Sequence, residues 1–252
     1  MIKDDIIAIA NKFTKDCQSD YIFDAPIFAF GSADDELYEQ YKSTDIIGGH
    51  FLTPLEWLPS AKTVISFFLP YADSIKKSNS HDCTWPSEEW LHGRYEGQLF
   101  INELLKHIRK QLLGSGYSCL VPAFDSRFGY GDSEDKFASN WSERHAAFAC
   151  GLGTFGLSKG IITEKGTCGR LGSILTALDL PKDTRQYNDI YEYCSMCGLC
   201  IPRCPVKAIS FEEGKEHAPC SEFLKRVGEI HKPRYGCGKC QINVPCESRR
   251  AK

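Results

Sequence analysis

The residues best equipped for chemistry lie in the run Cys194-Ser-Met-Cys197-Gly-Leu-Cys200-Ile-Pro-Arg-Cys204-Pro205. Thiolates are soft ligands for iron and zinc. The spacing C-x2-C-x2-C-x3-C-P is that of a [4Fe-4S] run, in which three sulfurs hold one cluster and the fourth reaches across to a second. A second set of thiols must then exist, and Cys220, Cys237, Cys240 and Cys246 supply it, giving eight candidate ligands for two cubanes. Zinc is also held by sets of four cysteines, so a zinc knuckle stays open on thiol count alone. Such knuckles usually lack the triple C-x2-C-x2-C and the closing proline. The other five cysteines, Cys17, Cys83, Cys119, Cys150 and Cys168, have no ligand spacing and read as small buried hydrophobes.

A second stretch runs from Asn140 to Gly156. Trp141-Ser142-Glu143-Arg144-His145 opens an Ala-rich helical pattern that lasts to Cys150, and Gly151, Gly153 and Gly156 follow it. The glycines have a G-x-G-x-x-G spacing, yet they come after a helix instead of a strand, so the dinucleotide reading lacks its context. Glycines placed this way let backbone approach either a ligand or a packed strand. Glu143 reads as a helix-face charge, and Trp141 and Tyr130 as rings that stack on a planar ligand or pack in a core.

These groups must be positioned by the rest of a 252-residue chain, long enough for one large domain or for a medium domain with a small one attached. Hydrophobic content of 42% and aromatic content of 12% suffice for a core. A net charge of -3 gives no reason to expect a polyanionic partner, so nucleic acid is not expected. The first residues are acidic and too short in apolar run for a signal peptide, and no stretch approaches a membrane span. A soluble, cytoplasmic protein without a membrane partner is expected, and its 13 cysteines then read as ligands, not disulfides. Exposed clusters and free thiols suit an oxygen-poor, anaerobic setting.

Apolar periodicity predicts a helix over 4–15, a strand over 25–31, and a helix within 32–43 capped by Ser32 or Asp34. A buried central strand follows over Val64 to Leu69, then a loop over 71–85, a long helix from Ser87 to about Gly114 and a strand over 117–122. Gly160 to Thr163 and Arg170 to Leu178 read as a hairpin. Strand, helix, strand argues for an α/β layer domain over 1–182. Beyond a polar linker, residues 183–252 are rich in cysteine, proline and glycine, with too little apolar sequence for a core of their own, so clusters would act as that core. The fold class is thus α/β (α+β), sandwich-like, with a C-terminal two-cluster ferredoxin-like module.

With these residues in view, the chain resembles the epoxyqueuosine reductase family and, more distantly, reductive dehalogenases. The likeness lies in Leu58-Pro-Ser-Ala-Lys-Thr-Val-Ile through Leu69-Pro-Tyr71, in Glu143-Arg144 with Gly151-Leu-Gly153-Thr-Phe-Gly156, in 166–176, and above all in a lone Cys220 between the two cysteine runs. The resemblance implies two [4Fe-4S] clusters coupled to a cobalamin, one cluster on Cys194, Cys197, Cys200 and Cys246, the other on Cys204, Cys220, Cys237 and Cys240. It places Arg144 beneath the corrin ring, where a cation tunes the cofactor's charge. Gly151, Gly153, Gly156 and Trp141 join it as expected cofactor-binding residues of the 1–182 domain.

The implied protein is an iron-sulfur oxidoreductase. It would take electrons from a donor such as ferredoxin or flavodoxin and act on a small-molecule substrate or a partner corrinoid protein. Three departures bear on the reaction. Phe137 stands where the family carries its acidic proton donor, leaving Asp132, Glu134 and Asp135 as candidates by proximity. Five residues separate Cys240 from Cys246 where the family has three. The sequence stops at Lys252 without the helical-repeat extension that grips transfer RNA, so that substrate is not expected. The competing readings are a ferredoxin-type electron carrier without catalysis and a flavin-dependent reductase using the same pocket.

Overall fold

In this computed structural model, residues 1–17, 19–131 and 138–252 are described. Helix α1 (Lys3–Asp16) carries Asp4 and Asp5 in its first turn and Lys15 in its last, matching the helix dipole. Its buried Ile6, Ala10 and Thr14 recur at the four-residue step of one helix face. Strand β1 (Ile27–Ser32) follows, then two short helices, α2 (Leu37–Gln40) and α3 (Pro54–Trp57). Ser32 therefore ends a strand and caps no helix. The reciprocal cap in this region belongs to α3, where Thr53 and Glu56 satisfy each other's backbone N–H groups.

Strand β2 (Thr63–Pro70) is buried along all eight residues, as its apolar run requires. The segment expected to be a loop holds a helix, α4 (Asp73–Ser78), supported by an Asp73–Lys76 pair at 2.8 Å. The long helix α5 (Glu88–Gly114) starts at Ser87, whose hydroxyl accepts from the Trp90 N–H at 3.1 Å. Then come β3 (Cys119–Leu120), α6 (Glu143–Cys150), β4 (Gly153–Phe155), β5 (Ile161–Thr163) and β6 (Gly169–Thr176).

The main sheet has the order β1-β2-β6-β3, each neighbouring pair antiparallel. Strands β2 and β3, joined through α5, thus run the same way with β6 inserted between them, the α+β form of the expected layered domain. The expected hairpin does not form. Strand β5 pairs with β4, Gly153 opposite Thr163, and β6 leaves for the sheet. Between β5 and β6 lies a tight turn in which Gly166, with φ +79, exchanges backbone hydrogen bonds with Thr163.

Alternation along β2 divides the two cores. Ile65, Phe67 and Leu69 face α1 and α5, packing on Ile101, Leu104 and Ile108. Val64 and Phe68 face α6, packing on Ala146, Ala147 and Cys150. Burial of this apolar surface is worth about 25 cal/mol per Å2 and holds α6 rigidly on the sheet. That rigidity fixes where the first turn of α6 points.

The cysteine-rich part adds α7 (Cys200–Arg203), a two-stranded ribbon of β7 (Ile209–Ser210) and β8 (Gly214–Lys215), and α8 (His217–Ile230). Its apolar packing is slight, centred on Phe223 and Val227 against Leu91 of α5. Polar ties do the rest. The Thr167 N–H donates to the Cys246 carbonyl at 2.9 Å, and the buried Lys239 ammonium donates to the Asn79 carbonyl at 2.7 Å. Asp183, where the second segment begins, accepts from the Phe30 N–H at 2.8 Å.

Candidate iron-sulfur and cofactor site

The thiols fall into two groups. Cys246 has Cys194, Cys197 and Cys200 as its charged neighbours, whereas Cys240 has Cys204 and Cys220, and Cys237 has Cys220 and Cys240. Cys200 also feels Cys240, so the groups meet at that pair. Among the described residues no three His, Cys, Asp or Glu side chains converge on a point as a single ion requires.

Fit to a cluster can be judged from the lining. Cys204, Cys220, Cys237 and Cys240 all border one cavity of about 190 Å3. The backbone is left-handed at Met196, Gly198, Lys207, Gly236, Gly238 and Asn243, all in the cysteine loops. For the three non-glycine residues this conformation costs roughly 1–2 kcal/mol each, a strain retained where it wraps amides around a site. One such amide, the Ala208 N–H, donates to the Cys204 sulfur at 3.2 Å. Burial, and then the neighbouring thiols, push Cys237 and Cys246 up to about 12 and Cys200 to about 11. Such thiols become thiolates only when iron is present to hold them. The donor set and the loops fit clusters.

Beside the second group opens a cleft. Three cavities, of about 500, 630 and 640 Å3, meet at Arg144 and Lys159, which border all of them. The largest also reaches Cys240, so the second thiol group stands at the cleft and the first lies beyond it, with Cys197 exposed. Arg144 comes from the first turn of α6, which the Ser142 hydroxyl caps by accepting from the His145 N–H. Its guanidinium donates to the Lys159 carbonyl at 2.6 Å, and burial draws its pKa downward. His145 is held by Ser142 at 2.8 Å, and burial, with the Arg144 charge second, lowers it to about 3, so it is neutral at physiological pH.

Glu143 differs from the helix-face charge it resembles in sequence. It borders the 640 Å3 cavity, and burial raises its carboxyl to about 7 against the opposing pull of Ser173, Trp141 and Arg170. Trp141 is buried in the core, stacked against Tyr38 at 6.1 Å and Phe51 at 6.0 Å, and also borders the cleft. Its indole N–H donates to Ser173 at 2.9 Å.

The three glycines of the G-x-G-x-x-G spacing lie away from this cleft. None of Gly151, Gly153 and Gly156 borders the three cavities. Gly151 ends α6 with φ +92, and a Cβ on Gly153 would lie 2.2 Å from the Ile162 carbonyl oxygen. Their bare backbone makes room for neighbouring protein, not for a ligand. The glycines that do border the cleft are Gly160, Gly169 and Gly172, beside Arg94, Arg170 and Lys215, none of which the sequence singled out. Arg170 lies in the 166–176 segment of the resemblance, a signal that was available. Asp132, Glu134, Asp135 and Phe137 lie outside the described residues.

Residues 187–210, which contain the first cysteine run, match the 4Fe-4S binding domain. That region thus carries a 4Fe-4S binding sequence. The chain is 28% identical over 114 residues to an epoxyqueuosine reductase of Staphylococcus aureus, a match covering 41% of this chain and 29% of that protein. Its fold is that of epoxyqueuosine reductase from Streptococcus thermophilus, with 20% identity, a TM-score of 0.53, and coverage of 94% of this chain and 65% of the other. It is equally that of a catabolic reductive dehalogenase, with 15% identity, a TM-score of 0.60, and coverage of 89% and 30%. The chain therefore shares the fold of epoxyqueuosine reductases and reductive dehalogenases while spanning less than two thirds of these relatives. No helix among the described residues is long and apolar enough to cross a membrane.

Proposed function

We propose that the protein is a reductase in which residues 183–252 hold two [4Fe-4S] clusters and residues 1–182 hold a corrinoid in the cleft at Arg144. The observation that carries this reading is that one cavity joins Cys240 of the second thiol group to Arg144. Cys194, Cys197, Cys200 and Cys246 would ligate one cluster, and Cys204, Cys220, Cys237 and Cys240 the other. When bound, the clusters would relay single electrons and the corrinoid would supply strongly reducing cobalt. The chain's own part is to bind, orient and exclude water. Arg144 and Lys159 contribute positive charge where three cavities meet, and His145 stays neutral beside them.

Cys197, the exposed thiol of the first group, marks the side at which a ferredoxin- or flavodoxin-type donor would dock. The likeness to epoxyqueuosine reductases and a reductive dehalogenase supports reductive chemistry, here on a small molecule or on a partner's corrinoid. Anaerobic reconstitution followed by hydroxocobalamin addition tests the reading. About eight iron atoms per chain, a change in the cobalt absorption bands and weaker binding by Arg144→Ala are expected. Four irons, or cobalt bands unaltered by the protein, would contradict it.

A further inference from the structure

A reductive step that forms a C–H bond needs a proton as well as electrons, and among the described residues the cleft holds one carboxyl placed to supply it. Among the described residues bordering the 640 Å3 cavity, Glu143 is the sole acid, facing a wall that includes Arg94, Arg144, Lys159, Arg170 and Lys215. Three buried polar atoms on this wall have no hydrogen-bond partner: Glu143 Oε2, Arg170 Nε and Thr167 Oγ1. A buried polar atom left unpaired costs about 1–3 kcal/mol. Three together on one cavity wall are what a site looks like when its polar ligand completes it. Arg170 acts on the Glu143 carboxyl through its charge.

We propose that Glu143 is the proton donor of this cleft, delivering a proton through Oε2 to a substrate bound against the same wall. The assignment rests on the reductase reading above and names the acid that reading lacks. A substrate bond C–X is cut with two electrons from a low-potential one-electron donor protein of ferredoxin or flavodoxin type. X departs as an anion, the carbon takes the Glu143 proton to form C–H, and the carboxylate regains a proton from water.

Position supports the role. Glu143 is the first residue of α6, so its backbone is fixed by the Ser142 cap and by the packing of α6 on the sheet. A carboxyl that changes protonation near neutral pH is suited to general acid work. The charged group acting on it is Arg170 of β6. Arg94 of α5 and Lys159 and Lys215 border the same cavity, Phe68 of β2 brings no charge, and the Arg144 guanidinium is turned to the Lys159 carbonyl. Of the two tyrosines on this wall, Tyr130 is 65% exposed, and Tyr235 lies with the Arg94 guanidinium 4.6 Å over its ring. A phenol, with an ordinary pKa of about 10, is the weaker acid.

Infrared difference spectra of the cluster-loaded protein, recorded against pH, test this directly through the C=O band of a protonated carboxyl. The band is expected to vanish with a midpoint near about 7, to be absent from Glu143→Gln, and to titrate at higher pH in Arg170→Gln, which loses the cation that favours the carboxylate. Retained iron-sulfur absorption in both variants shows that they fold. Addition of hydroxocobalamin should shift the band. Wild-type and Glu143→Gln spectra that superimpose from about pH 5 to 9 would overturn the proposal, as would a band that stays fixed while the cobalt spectrum reports a bound corrinoid. Failure of the corrinoid reading shows instead in the cobalt bands, which do not depend on Glu143.

Discussion

Gly153→Ala separates a structural glycine from a ligand-binding one. A Cβ at this position would sit 2.2 Å from the Ile162 carbonyl oxygen, 2.9 Å from its carbon and 3.1 Å from Ile161 Cγ2. Carbon and oxygen in ordinary contact stand about 3.3 Å apart, so β4 and β5 would have to separate by roughly 1 Å. Overpacking of this kind costs about 1–3 kcal/mol, and stretching the Gly153–Thr163 pairing adds about 1 kcal/mol for a weakened hydrogen bond. A loss of about 2–4 kcal/mol lowers the melting temperature of a chain this size by roughly 4–16 °C. Thermal scans of cluster-loaded wild type and variant at one scan rate measure this. Hydroxocobalamin affinity, taken where both are folded, should change by less than about threefold, under 0.7 kcal/mol. Unchanged melting together with lost affinity would refute the packing argument and return Gly153 to the cofactor.

Other expectations follow from the same geometry. Cys204→Ser should remove the cluster of the second group and leave the first, halving the iron; iron analysis and EPR of the reduced protein would show loss of both or neither if the grouping is wrong. Acid sensitivity should show two opposed terms. His145, near 3 in the fold against an ordinary 6.5, makes stability fall as pH drops below 6.5, whereas Glu143, near 7 against 4.5, makes it rise as pH drops from 7 to 4.5. Each has a limiting slope of about 1.4 kcal/mol per pH unit, so the two largely cancel between pH 4.5 and 6.5. His145→Gln should then be stabilised by acid in that window and Glu143→Gln destabilised; identical pH slopes in both would contradict these environments. Lys239→Met should cost about 1–3 kcal/mol in urea unfolding, because it leaves the buried Asn79 carbonyl without its donor; a change under about 0.5 kcal/mol would mean water replaces the ammonium.

Strong local rules made parts of this fold readable. The thiol spacing reflects bond geometry around iron and survives any tertiary context. Ser87 before an apolar stripe, and Ser142 before an Ala-rich one, begin α5 and α6 because a hydroxyl cap satisfies backbone donors locally. The eight buried residues of β2 could not be exposed. What failed depended on partners distant in sequence. The pattern of β5 suits pairing with either β4 or β6, and the choice falls to β4 while β6 pairs with β2. Gly151, Gly153 and Gly156 have a ligand-like spacing, but the space they free is filled by Ile162 and Arg185. Glu143 reads as a surface charge because nothing local reports that β6 brings Arg170 and Ser173 against it.

The central claim is that two thiolate sets and the Arg144 cleft form one redox path. The most direct measurement mixes anaerobically reduced, cluster-loaded protein with hydroxocobalamin and follows iron-sulfur and cobalt absorption together in a stopped-flow instrument. Cluster bleaching should reverse in step with cobalt reduction, at a rate that Arg144→Ala lowers and that Cys204→Ser, lacking the cluster beside the cleft, abolishes. Cobalt reduction that proceeds equally fast in Cys204→Ser, or clusters that stay reduced beside oxidised cobalt, would contradict the account.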